Sequence, residues 1–154
     1  RDSAAARGRG DVYKRQVWIA VDAATRDNGC LRLIPGSHKA KTLWKHRTNN
    51  APDLTLNQEL LSSEFDEEKA VDLVLESGQM SLHDIYMVHG SEANHSEHSR
   101  RGMTLRYFPT TSVFDRTLAT ERAVAGNFLD HKDRTLFLMR GVDRSGENDF
   151  RLRW

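Results

Sequence analysis

The 154-residue sequence predicts an all-β domain, either a sandwich or a barrel. Three observations carry that expectation. Short apolar runs recur, each bounded by turn residues such as Thr25-Arg-Asp-Asn-Gly29 or Pro35-Gly36. The clearest of them, Gly102-Met-Thr-Leu-Arg-Tyr-Phe108, alternates with the two-residue period of a strand. Helical patterning is scarce by comparison.

The first sixteen residues are expected to lie outside the fold. Asp11-Val-Tyr-Lys-Arg-Gln16 is what GAT GTG TAT AAG AGA CAG encodes, which resembles the end of a transposase sequencing adapter. Arg1 to Gly10 reads as low-complexity translation of the same kind, with a natural basic arm or a transit peptide as the alternative. Residues 1–16 are therefore expected to be unstructured, and 17–154 to form one domain or the C-terminal part of one.

Val17-Trp-Ile-Ala-Val-Asp22 is a short β-type run closed by the Thr25–Gly29 turn. Leu31-Arg-Leu-Ile34 alternates and stops at Pro35-Gly36. Lys39 to Lys69 is polar and irregular, which predicts a long insertion with a helical piece at Leu56–Leu61. Val71–Leu75 and Gln79–His89 are the next strands, followed by Gly102–Phe108 and a last apolar run over Arg134–Arg140. No internal repeat is visible.

Composition excludes several classes of function. Residues 1–16 hold five basic and two acidic residues; the remainder has 18 basic and 20 acidic, a formal net charge of −2. The basic pI of the whole chain thus comes from that tail and gives no reason to expect a nucleic-acid partner. No run approaches the length of a membrane helix. Cys30 is the one cysteine, which excludes an internal disulfide framework and fits a reducing compartment such as the cytoplasm. Its place between Gly29 and an apolar run reads as a buried structural thiol. Asn94-His-Ser96 spells a glycosylation sequon, discounted because nothing secretory accompanies it.

The most informative stretch is Gly78-Gln-Met-Ser-Leu-His-Asp-Ile-Tyr-Met-Val-His89-Gly-Ser91-Glu-Ala-Asn94, followed by Arg100-Arg-Gly102. A hydrophobic run ends in a histidine, a Gly-Ser turn opens beside it, and an arginine follows eleven residues later. That order suits one imidazole binding a metal and one guanidinium binding a carboxylate. With Trp18, Asn28-Gly-Cys30 and Pro35-Gly-Ser-His38 upstream, the sequence resembles the phytanoyl-CoA dioxygenase family of iron(II)- and 2-oxoglutarate-dependent oxygenases. The resemblance runs from about Val17 to Thr111, with a weaker echo to Gly141.

The resemblance implies a double-stranded β-helix, the cupin-like jelly roll, of which the N-terminal half lies upstream of Val17. It also implies Fe(II) and 2-oxoglutarate as cofactor and co-substrate. His89 matches the family's distal iron ligand, and Arg100 the arginine that grips the far carboxylate of 2-oxoglutarate. Ser91 would add a hydroxyl to the same co-substrate, and Trp18 an aromatic wall, although a core tryptophan is an equal reading. A guanidinium meets a carboxylate with two parallel charge-assisted bonds, which lysine cannot copy. Arg100 and Arg101 point to opposite faces in strand spacing, so only one can enter the barrel, and Arg100 has the family's offset from His89.

The family's His-x-Asp ligand pair should precede the Trp18 strand and is not found there. His131-Lys-Asp133 and His95-Ser-Glu97 have the spelling or charge but the wrong order or spacing. One protein ligand is therefore expected where three are needed. His83 lies six residues of strand from His89, about 20 Å, so the two could share an ion only if the strand broke. It reads as a core histidine or one supporting the site from behind. His38 reads as stabilising its turn, and His46 and His98 as solvated loop residues.

The expected parent activity is hydroxylation of a small organic substrate, this chain alone being inactive; related members also halogenate or cyclise. A non-catalytic cupin-like jelly roll binding a sugar or small acid is the alternative, and a purely structural sandwich the third. A small-molecule partner is expected, with no nucleic acid and no membrane; the oligomeric state is unspecified.

Overall fold

The computed structural model describes residues 6–8, 15–42, 44–51, 58–126 and 130–152. Its strands are short, as Gly- and Pro-punctuated runs dictate. They are β1 (Ala6–Gly8), β2 (Arg15–Ala20), β3 (Leu31–Leu33), β4 (His46–Thr48), β5 (Gln58–Leu60) and β6 (Val71–Leu73). They continue with β7 (Met80–Asp84), β8 (His89–Ser91), β9 (Gly102–Tyr107), β10 (Ser112–Phe114), β11 (Phe137–Leu138) and β12 (Arg151–Leu152). Among the described residues one α-helix, α1 (Arg116–Gly126), lies between β10 and β11.

The chain divides into two compact units, 17–105 and 106–154 with 1–16. Two three-stranded sheets carry the first, ordered β7-β2-β9 and β6-β3-β8. In the second of these, β3 pairs antiparallel with both neighbours, setting Leu31 opposite Leu73 and Ser91, and Leu33 opposite Val71 and His89. Trp18 and Ala20, two residues apart on one face of β2, join Ala24 and Cys30 in a buried cluster against which Leu31 and Leu75 pack. A separate hairpin pairs β4 with β5. In the other unit β1 pairs with β10, β11 runs parallel to β12, and Phe108 stacks on Phe150 with ring centroids 6.0 Å apart.

Four expectations need correction. Ala6–Gly8 and Arg15–Gln16, expected to be unstructured, stand in β1 and β2. Strand pairing uses main-chain groups, so it makes little demand on the side chains of such a segment. The helical piece expected at Leu56–Leu61 is instead strand over Gln58–Leu60, its other part falling outside the described residues. Six residues cannot repay helix nucleation, whereas the hairpin gains an Arg47–Glu59 ion pair across β4 and β5 at 2.5 Å. His46, read as a loop residue, opens β4, though it is exposed. The single strand expected over Gln79–His89 is two, β7 and β8, separated by a turn at Ile85–Tyr86 in which the Tyr86 N–H donates to the Asp84 carboxylate at 3.1 Å.

The α1 helix was not anticipated. Its signal was present: Asp115 sits at the N-cap and accepts from the Leu118 N–H at 2.8 Å, ahead of the helix-favouring Ala-rich Thr117–Ala125.

Candidate active site

Trp18 and Arg100 are brought together. The tryptophan is 6% exposed, and the Arg100 guanidinium carbon lies 6.0 Å from its ring centroid. The Arg100 Nε is buried and has no hydrogen-bond partner among the described residues. A buried guanidinium nitrogen without an acceptor is costly, and a carboxylate would satisfy it. Arg101, just before β9, is engaged elsewhere. It forks onto the Asp22 carboxylate at 2.7 and 2.8 Å, and its own N–H donates to the same group at 2.8 Å. Those bonds hold the Asp22 carboxyl down at about 2. Gly102 follows because nothing larger fits: a Cβ there would run into the Trp18 indole.

His89 and Ser91 share one face of β8, and that face looks the same way as Leu31 and Leu33 across the ladder. Leu31, opposite Ser91, packs on the Trp18 cluster. Both His89 and Ser91 are exposed. The His89 Nδ1 lies 2.7 Å from the Met87 carbonyl. A carbonyl only accepts, so Nδ1 carries the proton and a metal would be met through Nε2.

His83 requires a further correction. Because the chain turns between β7 and β8, its ring centroid is 5.3 Å from that of His89, at an interplanar angle of 51°. The expected separation assumed an unbroken strand. His83 is 5% exposed, and burial pushes its imidazole down to about 4; the charge of His89 adds to this and Asp84 opposes it. It is therefore neutral through the physiological range.

The upstream motifs brace this site through main-chain contacts. The Asn28 side chain accepts from the Thr25 N–H and donates to the Ala23 carbonyl, both at 2.8 Å, closing the turn before β3. Gly29, at φ +75°, lets that turn lie directly on the main chain after Ser91; a Cβ would sit 2.5 Å from the Glu92 carbonyl oxygen. The neighbouring His95 N–H donates to the Asp27 carbonyl at 2.9 Å. Ser37, in the Pro-Gly-Ser-His turn, accepts from the Val88 N–H at 2.9 Å and so fixes the residue before His89. That work falls to Ser37 rather than to His38, whose Nδ1 is buried without a partner among the described residues. Asn94 organises the loop toward Arg100, donating to the His98 carbonyl at 2.7 Å and accepting from Ser96 at 2.9 Å. Cys30 is 2% exposed, with burial as the main cause of its raised thiol pKa. Sequence reasoning missed these bracing roles because they depend on which backbones touch.

No group of three His, Cys, Asp or Glu side chains that could hold a metal converges among the described residues. His95 and Glu97 are exposed in their loop, and the His131 Nε2 lies 3.2 Å from an Arg134 guanidinium nitrogen. No described helix is long and apolar enough to cross a membrane.

Comparison with known proteins adds to this geometry. The phytanoyl-CoA dioxygenase family model matches residues 3–102, a span that begins inside the stretch expected to be foreign. A phytanoyl-CoA dioxygenase domain-containing protein 1 homolog from Caenorhabditis elegans is 38% identical over 94 residues, covering 58% of this chain and 32% of its own length. The 2-aminoethylphosphonate dioxygenase of uncultured bacterium HF130_AEPn_1 is 35% identical over 98 residues, covering 64% and 34%. Among solved structures, EvdO2 from Micromonospora carbonacea var. aurantiaca, complexed with 2-oxoglutarate, has a TM-score of 0.56 at 26% identity, covering 70% of this chain and 42% of that one. The chain thus spans about a third of the length of the curated relatives it matches. The mostly β, cupin-like fold expected from the sequence is the fold of these neighbours.

Proposed function

The chain belongs to the phytanoyl-CoA dioxygenase family, and from that premise we propose that it carries part of an Fe(II)/2-oxoglutarate oxygenase site. His89 would hold the iron through Nε2. Arg100 would clamp the far carboxylate of 2-oxoglutarate, with Ser91 adding a hydroxyl and Trp18 a wall under the guanidinium. Iron(II) with 2-oxoglutarate supplies oxidising chemistry that hydroxylates a small organic substrate, while protein groups hold geometry and exclude water. Two further ligands are needed for that chemistry, so we expect no turnover from this chain alone.

The observation that carries the reading is the buried Nε of Arg100 over Trp18, without a partner among the described residues, while its neighbour Arg101 is engaged by Asp22. A guanidinium held beside an aromatic face with an unmet donor fits a carboxylate ligand. Calorimetric titration of 2-oxoglutarate, with Mn²⁺ present, into the chain and its variants tests this. Arg100→Lys should weaken binding by about tenfold or more, since a charge-assisted bond contributes about 1.5–3 kcal/mol. Arg101→Lys should titrate like the parent. The reverse pattern would mean that the wrong arginine has been assigned. A non-catalytic cupin-like binder of a sugar or small acid is the alternative; binding of 2-oxoglutarate indifferent to both Mn²⁺ and Arg100 would favour it.

A further inference from the structure

We propose that His83 is a positioning residue for His89: its ring is the wall that sets the orientation of the His89 imidazole, so that Nδ1 stays on the Met87 carbonyl and Nε2 is presented to the metal. This rests on His89 being the ligand, the reading given above. An exposed histidine heading a three-residue strand has two torsions to settle, and the Nδ1 hydrogen bond acts mainly on one of them. The bond from Nδ1 to the Met87 oxygen restrains the ring's rotation about its own axis. The swing of the whole ring about the Cα–Cβ bond needs a steric stop. His83 stands where such a stop is required, 5.3 Å away centroid to centroid and tilted by 51°.

The stop is itself rigid. His83 closes β7 next to Asp84, both 5% exposed, and the turn that follows is pinned by the Tyr86 N–H to the Asp84 carboxylate. On the far side of that turn, Ser37 holds the Val88 N–H, so the backbone entering His89 is fixed from the β3 side as well. The broken strand is what makes this arrangement possible. An unbroken one would leave the two rings a strand's length apart.

An aromatic wall acts through shape, so phenylalanine should replace His83 and leucine, of similar bulk but without a planar face, should not. The readout is the tautomer of His89 in the metal-free 154-residue chain, followed by the ring nitrogen shifts of ¹⁵N-histidine-labelled protein and assigned by loss of the signal in His89→Gln. The parent chain and His83→Phe should show the Nδ1–H form at residue 89. His83→Leu should shift it toward the Nε2–H form preferred by unconstrained imidazole, while backbone amide spectra stay folded. Retention of the Nδ1–H form in a folded His83→Leu variant would overturn the proposal, and so would its loss in His83→Phe. Should the leucine variant fail to fold, His83→Val takes its place under the same criterion. Adding Mn²⁺ tests the underlying reading separately: if the ion broadens other histidines and spares His89, the ligand assignment fails whatever the tautomer shows.

Discussion

Replacing Gly29 by alanine should cost far more than the same change at Gly36, and the difference measures how tightly the turn before β3 is seated on the loop after β8. Both glycines have a left-handed backbone, φ +75° and +82°. An L-residue there costs about 1 kcal/mol in each case. At Gly36 that is the whole cost, because an added Cβ meets nothing within 4 Å. At Gly29 the Cβ would lie 2.5 Å from the Glu92 carbonyl oxygen and 3.3 Å from that of Ala93. Both are main-chain atoms and cannot swing aside as a side chain would. Overpacking of this kind adds about 1–3 kcal/mol. The displaced loop should also release the His95 N–H from the Asp27 carbonyl, about a further 1 kcal/mol. We expect Gly29→Ala to lose about 3–5 kcal/mol against about 1 for Gly36→Ala in urea unfolding, with faster amide exchange at His95 in the first alone. Equal losses, or unchanged exchange at His95, would refute the contact.

The Asp22–Arg101 pair sets a pH response. The folded-state carboxyl lies at about 2 against an ordinary 3.8, a depressed value, so its stabilisation is present above about pH 4 and is lost as pH falls toward 2. A ¹³C carboxyl titration of Asp22 with a midpoint near 4 would contradict the observed fork. The outer face of the β7-β2-β9 sheet exposes Met80 at 65%, Leu82 at 67% and Met103 at 48%, an apolar surface that invites association. Leu82→Lys should therefore reduce dye binding and concentration-dependent sedimentation of the chain; no change in either would show that this face is not sticky. Asn94→Ala removes the acceptor and donor that order the loop before Arg100, so it should weaken 2-oxoglutarate binding severalfold without touching the co-substrate. Binding equal to the parent chain would show that the loop does not position the arginine.

Local pattern was enough to determine the β class, the turn at Thr25–Gly29, and strands near Val17, Leu31, Val71 and Gly102, because two-residue alternation and Gly or Pro punctuation act within a few residues. The preference for Arg100 over Arg101 came from the family resemblance, through its offset from His89, and the structure pairs Arg101 with Asp22. What alternation cannot report is where a strand stops for a reason outside itself. Gln79–His89 reads as one apolar run, yet it breaks at Ile85–Tyr86, where the Asp84 carboxylate captures a backbone N–H and Ser37, some fifty residues upstream, holds Val88. That break brings His83 beside His89 and turns a presumed distant histidine into its neighbour. The purposes of Asn28, Gly29 and Ser37 were equally hidden, since each acts on a backbone that only the folded chain brings near. Residue types determined which chemistry is available to this protein; long-range main-chain contacts decided which of those residues meet.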